Sequence, residues 1–177
     1  MGPESVIWYF AYGSNMQSAT FRGRRGIEHR RALAAVVEGW RVVFDKPPLL
    51  PMGQSFANLV LEPGAKAYGV LYEITPEDLS HVEVSEAVPL GNYRRVDVPA
   101  RSLVSDVGRV LAVSLSSDRR DPELRPSIRY MAMVVEGALE HGLPAEVIEW
   151  LRSIPADEET EEARRARSLI DTAIRRR

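Results

Sequence analysis

The residues with the most chemical promise lie in Tyr9-Phe10-Ala11-Tyr12-Gly13-Ser14-Asn15-Met16, where an aromatic-rich strand runs into a Gly-Ser-Asn turn. Glycine tolerates backbone angles closed to other residues, so the chain can turn sharply at Gly13. Successive backbone N–H groups in such a turn can point into one concavity and hold an anion or a developing oxyanion. The same residue types also make ordinary strand-ending turns. Other catalytic constellations are missing. The chain has no cysteine, which excludes a disulfide scaffold, a thiolate metal site and a cysteine nucleophile. His29, His81 and His141 have no partner at ligand spacing, so they read as surface or packing residues and no metal is expected. Gly23 and Gly26 flank arginines but follow no strand, so no phosphate loop is present.

The elements that must position this turn fit one domain. The 177 residues are 45% apolar, with 23 basic against 25 acidic side chains and a formal net charge of −2. That balance argues against general nucleic-acid binding, which needs a basic excess to neutralise phosphates. The arginine-rich run Arg22–Arg31 therefore reads as a solvated face balanced by acids elsewhere. No apolar run approaches a membrane span and no signal peptide is visible, so a soluble, cytoplasmic protein is expected.

Val6–Tyr12 is apolar on both faces and predicts a strand in the middle of a sheet. The polar stretch after it could open a short helix. Ala32–Asp45 reads as strand material broken at Gly39, and Lys46-Pro47-Pro48 with Pro51-Met52-Gly53 as a loop. Ala57–Glu62 and Ala67–Ile74 predict a hairpin joined through Pro63-Gly64-Ala65-Lys66. Thr75-Pro76-Glu77-Asp78 announces a short helix ending near Val84, with Thr75 as cap and Pro76 at the first helical position. Strands are expected over Asn92–Val98 and Arg109–Ser116. Ser127 can cap a helix carrying Ile128, Met131, Val135, Ala138 and Leu139 on one buried stripe, with Gly142 as its stop. Pro144 begins a second helix, stopped by Pro155. Residues 157–177 run from acidic to basic, as a surface helix aligned with its dipole or a frayed tail would. With no internal repeat, an α+β domain is the economical outcome.

Four blocks in order give the sequence a resemblance. Tyr9–Met16 resembles the Y-G-S-N signature of the γ-glutamylcyclotransferase family. Tyr68–Ile74 looks like its second strand motif, and Leu79–Val88 with Gly91-Asn92-Tyr93-Arg94-Arg95 like the segment holding its catalytic glutamate. Pro126–Tyr130, Gly137-Ala138 and Gly142-Leu143-Pro144 are similar to its C-terminal helical region. The resemblance covers about residues 6–154. It implies a small mixed β-barrel or curled sheet flanked by helices, with residues 1–156 as the domain and 157–177 as a charged helix or tail. It implies Glu86 as the catalytic carboxylate. It implies Tyr9, Phe10, Ala11, Tyr12, Gly13, Ser14 and Asn15 as the substrate cradle, with Tyr130 and Tyr93 as further substrate contacts. Two departures stand out: Ala87 where the family often has glycine, and Ser55-Phe56-Ala57-Asn58 in place of a Gly-Gly pair, a change that would reshape the pocket wall.

The reaction that the resemblance implies is intramolecular. The α-amine of a γ-glutamyl group attacks its own γ-carbonyl, closing 5-oxoproline and expelling an amino acid or amine. A folded substrate supplies its own proximity, on the order of 7–11 kcal/mol in favourable cases, so the enzyme needs no nucleophile. One carboxylate can remove a proton from the attacking ammonium and return it to the leaving nitrogen. Glu86 stands among Val84, Ala87 and Val88, and partial burial there would raise its proton affinity. Taken alone it would read as an exposed surface acid, and Tyr130 as a packed core aromatic. No cofactor is called for. The expected partner is a small γ-glutamyl molecule of the kind found in glutathione metabolism, with no nucleic acid or membrane, and the chain a monomer or homodimer. Y-G-T-L marks the family's γ-glutamylamine branch and Y-G-S-L its glutathione branch. Asn15 therefore points to γ-glutamyl amino acids, or to relatives that strip a γ-glutamyl protecting group in antibiotic biosynthesis. A catalytically idle relative that binds a small ligand or a protein is the alternative; retention of Glu86 and the Gly13-Ser14-Asn15 turn weighs against it.

Overall fold

A computed structural model describes residues 5–104 and 107–174. Five strands close a barrel in the spatial order β1-β3-β2-β4-β5. They are β1 (Ile7–Ala11), β2 (Arg31–Lys46), β3 (Phe56–Ile74), β4 (Arg94–Ser102) and β5 (Arg109–Ser116). Neighbours pair antiparallel except β1 and β5, which are parallel and seal the barrel at Tyr9↔Val113. β1 is thus central, as its two-sided apolar pattern predicts. Phe10, Val70, Leu71, Val98 and Ala100 are fully buried in the core it shares. The barrel with its helices is the α+β class expected.

Two strand expectations are corrected. Phe56–Ile74 is one strand with no hairpin: β3 pairs along β2 from Lys46↔Phe56 to Arg31↔Glu73. Its Pro63-Gly64 lies in a wide irregularity between Leu61 and Lys66, opposite Gly39, where the register shifts. β2 likewise runs through Gly39, which bends it at φ 81° as a bulge and does not break it. Turn-forming residues here curve a long two-stranded ribbon, and curvature is what barrel closure requires.

The helices form where their caps predict. Thr75 accepts a hydrogen bond from the Asp78 N–H to start α1 (Pro76–Ser85), and Ser127 does the same from Tyr130 to start α2 (Ile128–Glu140). α3 (Ala145–Ser153) follows Pro144, and α4 (Glu161–Ile174) ends the described chain. The stripe on α2 differs from expectation. Tyr130, Met131, Val134, Gly137 and Ala138 face inward, while Ile128 and Leu139 are half exposed and border, with Val135, a groove against α3. The helix is rotated because its partner is a backbone and not a layer of side chains. Gly137 lies directly on the short 3-10 turn Ser14–Met16 that follows β1. No described helix is long and apolar enough to cross a membrane.

A Cβ on Gly137 would sit 2.5 Å from the Gln17 nitrogen and the Met16 carbonyl carbon. Alanine there gains about 1 kcal/mol of helix propensity but forces backbone apart, at a cost of about 1–3 kcal/mol. Gly137→Ala is expected to lower the urea midpoint; a midpoint at or above that of the parent would show that α2 and the turn separate freely.

Candidate active site

The turn after β1, the end of α1 and the first residues of α2 meet at one cavity of about 530 Å³. Tyr9, Tyr12, Gly13, Ser14 and Asn15 line it from the N-terminal side, Glu86 and Tyr93 from the segment after α1, and Tyr130 from α2. Phe10 and Ala11 do not reach it. Phe10 leaves β1 on another face and packs against Gly69, and the Ala11 carbonyl lies against the same glycine.

Glu86 stands at the end of α1, its side chain 19% exposed, and its Oε1 accepts from Asn15 Nδ2 at 3.1 Å. The same Asn15 nitrogen donates to the Tyr9 hydroxyl at 3.2 Å. Tyr72 fixes this arrangement from beneath, donating to the carbonyls of Asn15 and Met16 at 3.0 and 3.2 Å. The sequence did not foresee the strongest contact. Arg25 Nη2 lies 2.7 Å from Glu86 Oε1, with the Arg25 side chain 5% exposed. Its other terminal nitrogen donates to Ser85 Oγ, and its carbonyl bonds His81. The arginine run is therefore not one solvated face. A π-helical turn over Ala19–Arg24 carries Arg25 inward, while Arg22 stays outside with Glu28. Glu86 sits beside a cation and not in the aliphatic setting that its neighbours suggested.

Lys46 was also missed, because its prolines read as loop. It is the last residue of β2, buried, and lines the cavity. Its ammonium donates to Asn92 Oδ1 at 2.5 Å and to the Pro47 carbonyl, and lies 4.4 Å from the centre of the Tyr93 ring. Burial and the nearby Arg119 charge, opposed by Glu86, push Lys46 down to about 8. Asn92 in turn donates to the Glu86 carbonyl, so one amide couples Lys46 to the catalytic candidate.

Four tyrosines wall the cavity. Burial holds all four hydroxyls above the ordinary range, Tyr130 at about 12. They are neutral donors at physiological pH. Tyr12 and Tyr93 give their protons to the carbonyls of Leu115 and Ala57. Tyr130 receives backbone N–H bonds from Ala57 and Ser14, which leaves its own proton free. Of the segment Ser55–Asn58, Phe56 and Ala57 form the wall, Phe56 edge-on to Tyr130 at 5.1 Å. Ser55 and Asn58 turn away to hold Phe44 and Ser117 carbonyls. Among the described residues no three His, Asp or Glu side chains cluster to hold a metal ion.

The chain is similar to known proteins in sequence and in fold. A model of the AIG2-like family matches residues 66–151. A γ-glutamyl cyclotransferase of Aspergillus oryzae, aclK, is 29% identical over 168 residues, covering 84% of this chain and 61% of that protein. The γ-glutamylcyclotransferase of Bos taurus is 25% identical over 153 residues, 82% of this chain and 77% of the bovine one. A solved structure named γ-glutamyl cyclotransferase superposes with TM-score 0.75 at 21% identity, covering 95% of this chain and 99% of its own. The chain is thus similar in sequence to γ-glutamyl cyclotransferases and shares the fold of one of them. It spans less than two thirds of the length of the fungal relative.

Ala87 stands where the resemblance implied glycine, and the structure shows the consequence. Ala87 has φ 55° and ψ 38°, and among the described residues it is the only non-glycine at positive φ. The turn is tied by bonds from Leu90 and Asn92 N–H to the Ala87 carbonyl. A left-handed alanine costs about 1–2 kcal/mol, and glycine's freer unfolded chain returns about 0.4–1 kcal/mol of that. Ala87→Gly is expected to raise stability by up to about 1 kcal/mol in urea titrations; a destabilised variant would show that the methyl group is needed where it sits.

Proposed function

We propose that this protein cyclises the γ-glutamyl group of a γ-glutamyl amino acid or amide to 5-oxoproline and releases the amino acid or amine. One observation carries it: the Glu86 carboxylate shares a cavity with the Gly13-Ser14-Asn15 turn, 3.1 Å from Asn15. Such closeness lets one substrate touch both a proton acceptor and a set of main-chain donors. The names of the fungal and bovine relatives support the same chemistry.

In the proposed reaction the substrate α-ammonium gives a proton to Glu86, through Oε2, since Arg25 and Asn15 both address Oε1. The freed amine adds to the γ-carbonyl carbon, forming the ring C–N bond and moving the carbonyl electron pair onto oxygen. The Tyr130 hydroxyl, itself held by the Ser14 N–H, stabilises that oxyanion together with the turn's remaining N–H groups. Glu86 returns its proton to the leaving nitrogen as the original C–N bond breaks, then takes the surplus proton from the new ring nitrogen and passes it to the departing amine, which leaves as an ammonium. Atoms balance without water or cofactor. Lys46 is assigned to the substrate's α-carboxylate, being a buried cation in the cavity with no carboxylate in direct contact among the described residues.

Glu86→Gln keeps the hydrogen-bonding shape and removes the base, so 5-oxoproline release should fall by at least about 10² while γ-glutamyl-alanine still binds. Near-normal kcat would remove Glu86 from this role; no product from the parent chain with any γ-glutamyl compound would leave an idle binder. Lys46 yields a second test. Its charge is present below about pH 8 and lost above it, so KM should climb through that range in the parent chain. Lys46→Met should have a higher KM without the extra climb, and identical profiles would unseat Lys46.

A further inference from the structure

The cavity is larger than the reaction on its floor requires. About 530 Å³ is space for a drug-sized ligand, whereas a γ-glutamyl group is a short five-carbon chain. The excess lies toward an apolar mouth. Leu49 and Leu50 line it from the loop after β2, Val84 from α1, Leu90 from the 3-10 turn Val88–Leu90, and Ile170 from α4. Leu50, Val84 and Leu90 leave 63%, 64% and 73% of their surface exposed. Single exposed leucines are ordinary, but five large apolar side chains from four segments around one opening mark a binding surface. The arginines that α4 meets or carries there are already paired, Arg24 with Asp171 at 3.4 Å and Arg167 with Glu159 at 3.1 Å. The helix therefore turns Ile170 to the opening while its nearby charges hold one another.

We infer that this mouth is a subsite for a bulky apolar leaving group. The substrates are then γ-glutamyl conjugates of large aliphatic or aromatic amino acids or amines. The inference rests on the cyclotransferase reading and adds the class of group that leaves. Desolvating such a group against these side chains favours it over a small or polar one, each methylene counting for about tenfold or more. Glutathione, whose leaving dipeptide is polar, gains little there.

The experiment compares γ-glutamyl-phenylalanine, γ-glutamyl-phenethylamine, γ-glutamyl-alanine and glutathione by 5-oxoproline release, and by calorimetric Kd on Glu86→Gln. Both aromatic conjugates should exceed γ-glutamyl-alanine by at least about 10² in kcat/KM, with glutathione no better than alanine. The double variant Leu50→Asn/Leu90→Asn, at two exposed positions that the core does not need, should shrink that preference about tenfold. Equal kcat/KM and Kd for aromatic and alanine conjugates, or a preference untouched by the double variant, would overturn the subsite while leaving the cyclotransferase in place. No product from any conjugate would overturn the cyclotransferase, and the ratio of the two Kd values would then decide the subsite by itself.

Discussion

The ion pair between the buried Arg25 and the half-buried Glu86, 2.7 Å long, decides where the cavity floor can be. Removing one partner of a buried pair strands the other charge, at about 3–5 kcal/mol in comparable settings. The guanidinium also bonds Ser85, 60 positions further along the chain. The π-helical turn and the end of α1 thus form one unit, and the Gly13-Ser14-Asn15 turn is held against it through Asn15. An insertion of one residue into the helical turn before Arg25, the feature that makes it π-helical, aims the guanidinium inward; such turns recur at functional sites.

Polarity in the cavity is graded by the architecture. Its floor is built by strand ends and capped helices, where backbone groups and short polar side chains converge. Tyrosine hydroxyls there are locked to the carbonyls of Leu115 and Ala57, which keeps the site from rearranging when it fills. Its rim is built from loops and from α4, where no barrel hydrogen bonding demands polar residues and large aliphatic side chains can stand in the open. Fixed dipoles at the floor need no reorganisation when charge develops, and a greasy rim tolerates varied shapes. The two regions answer to different constraints.

Much of this was legible in the sequence where the cause is local. The Thr75-Pro76 start of α1 and the Ser127 cap of α2 depend on neighbours within three residues, and both formed as read. The central position of β1 followed from its two-sided apolar pattern. What escaped depends on partners far away. Pro63-Gly64 has the chemistry of a tight turn, yet β2 runs alongside and keeps pairing past it. Arg25 looked like one member of a solvated run; its burial is decided by a carboxylate beyond β3. Lys46 was hidden by two prolines that follow it. The α2 stripe was misjudged because spacing identifies a helix face but not whether a backbone approaches it, and Gly137 was the only hint. Residue types alone singled out the Gly13-Ser14-Asn15 turn, whereas Glu86 came only from the order of the motifs.

β1 is gripped between β3 on one side and β5 on the other. During synthesis it emerges before β3, and the strand that seals it, Arg109–Ser116, emerges later still. One edge of this aromatic strand can pair with β3 early, while the other must wait for its late partner. Distant pairings of this sort slow folding and leave sticky edges exposed meanwhile, and here the edge of β1 that faces β5 stays open until residue 116 has been made.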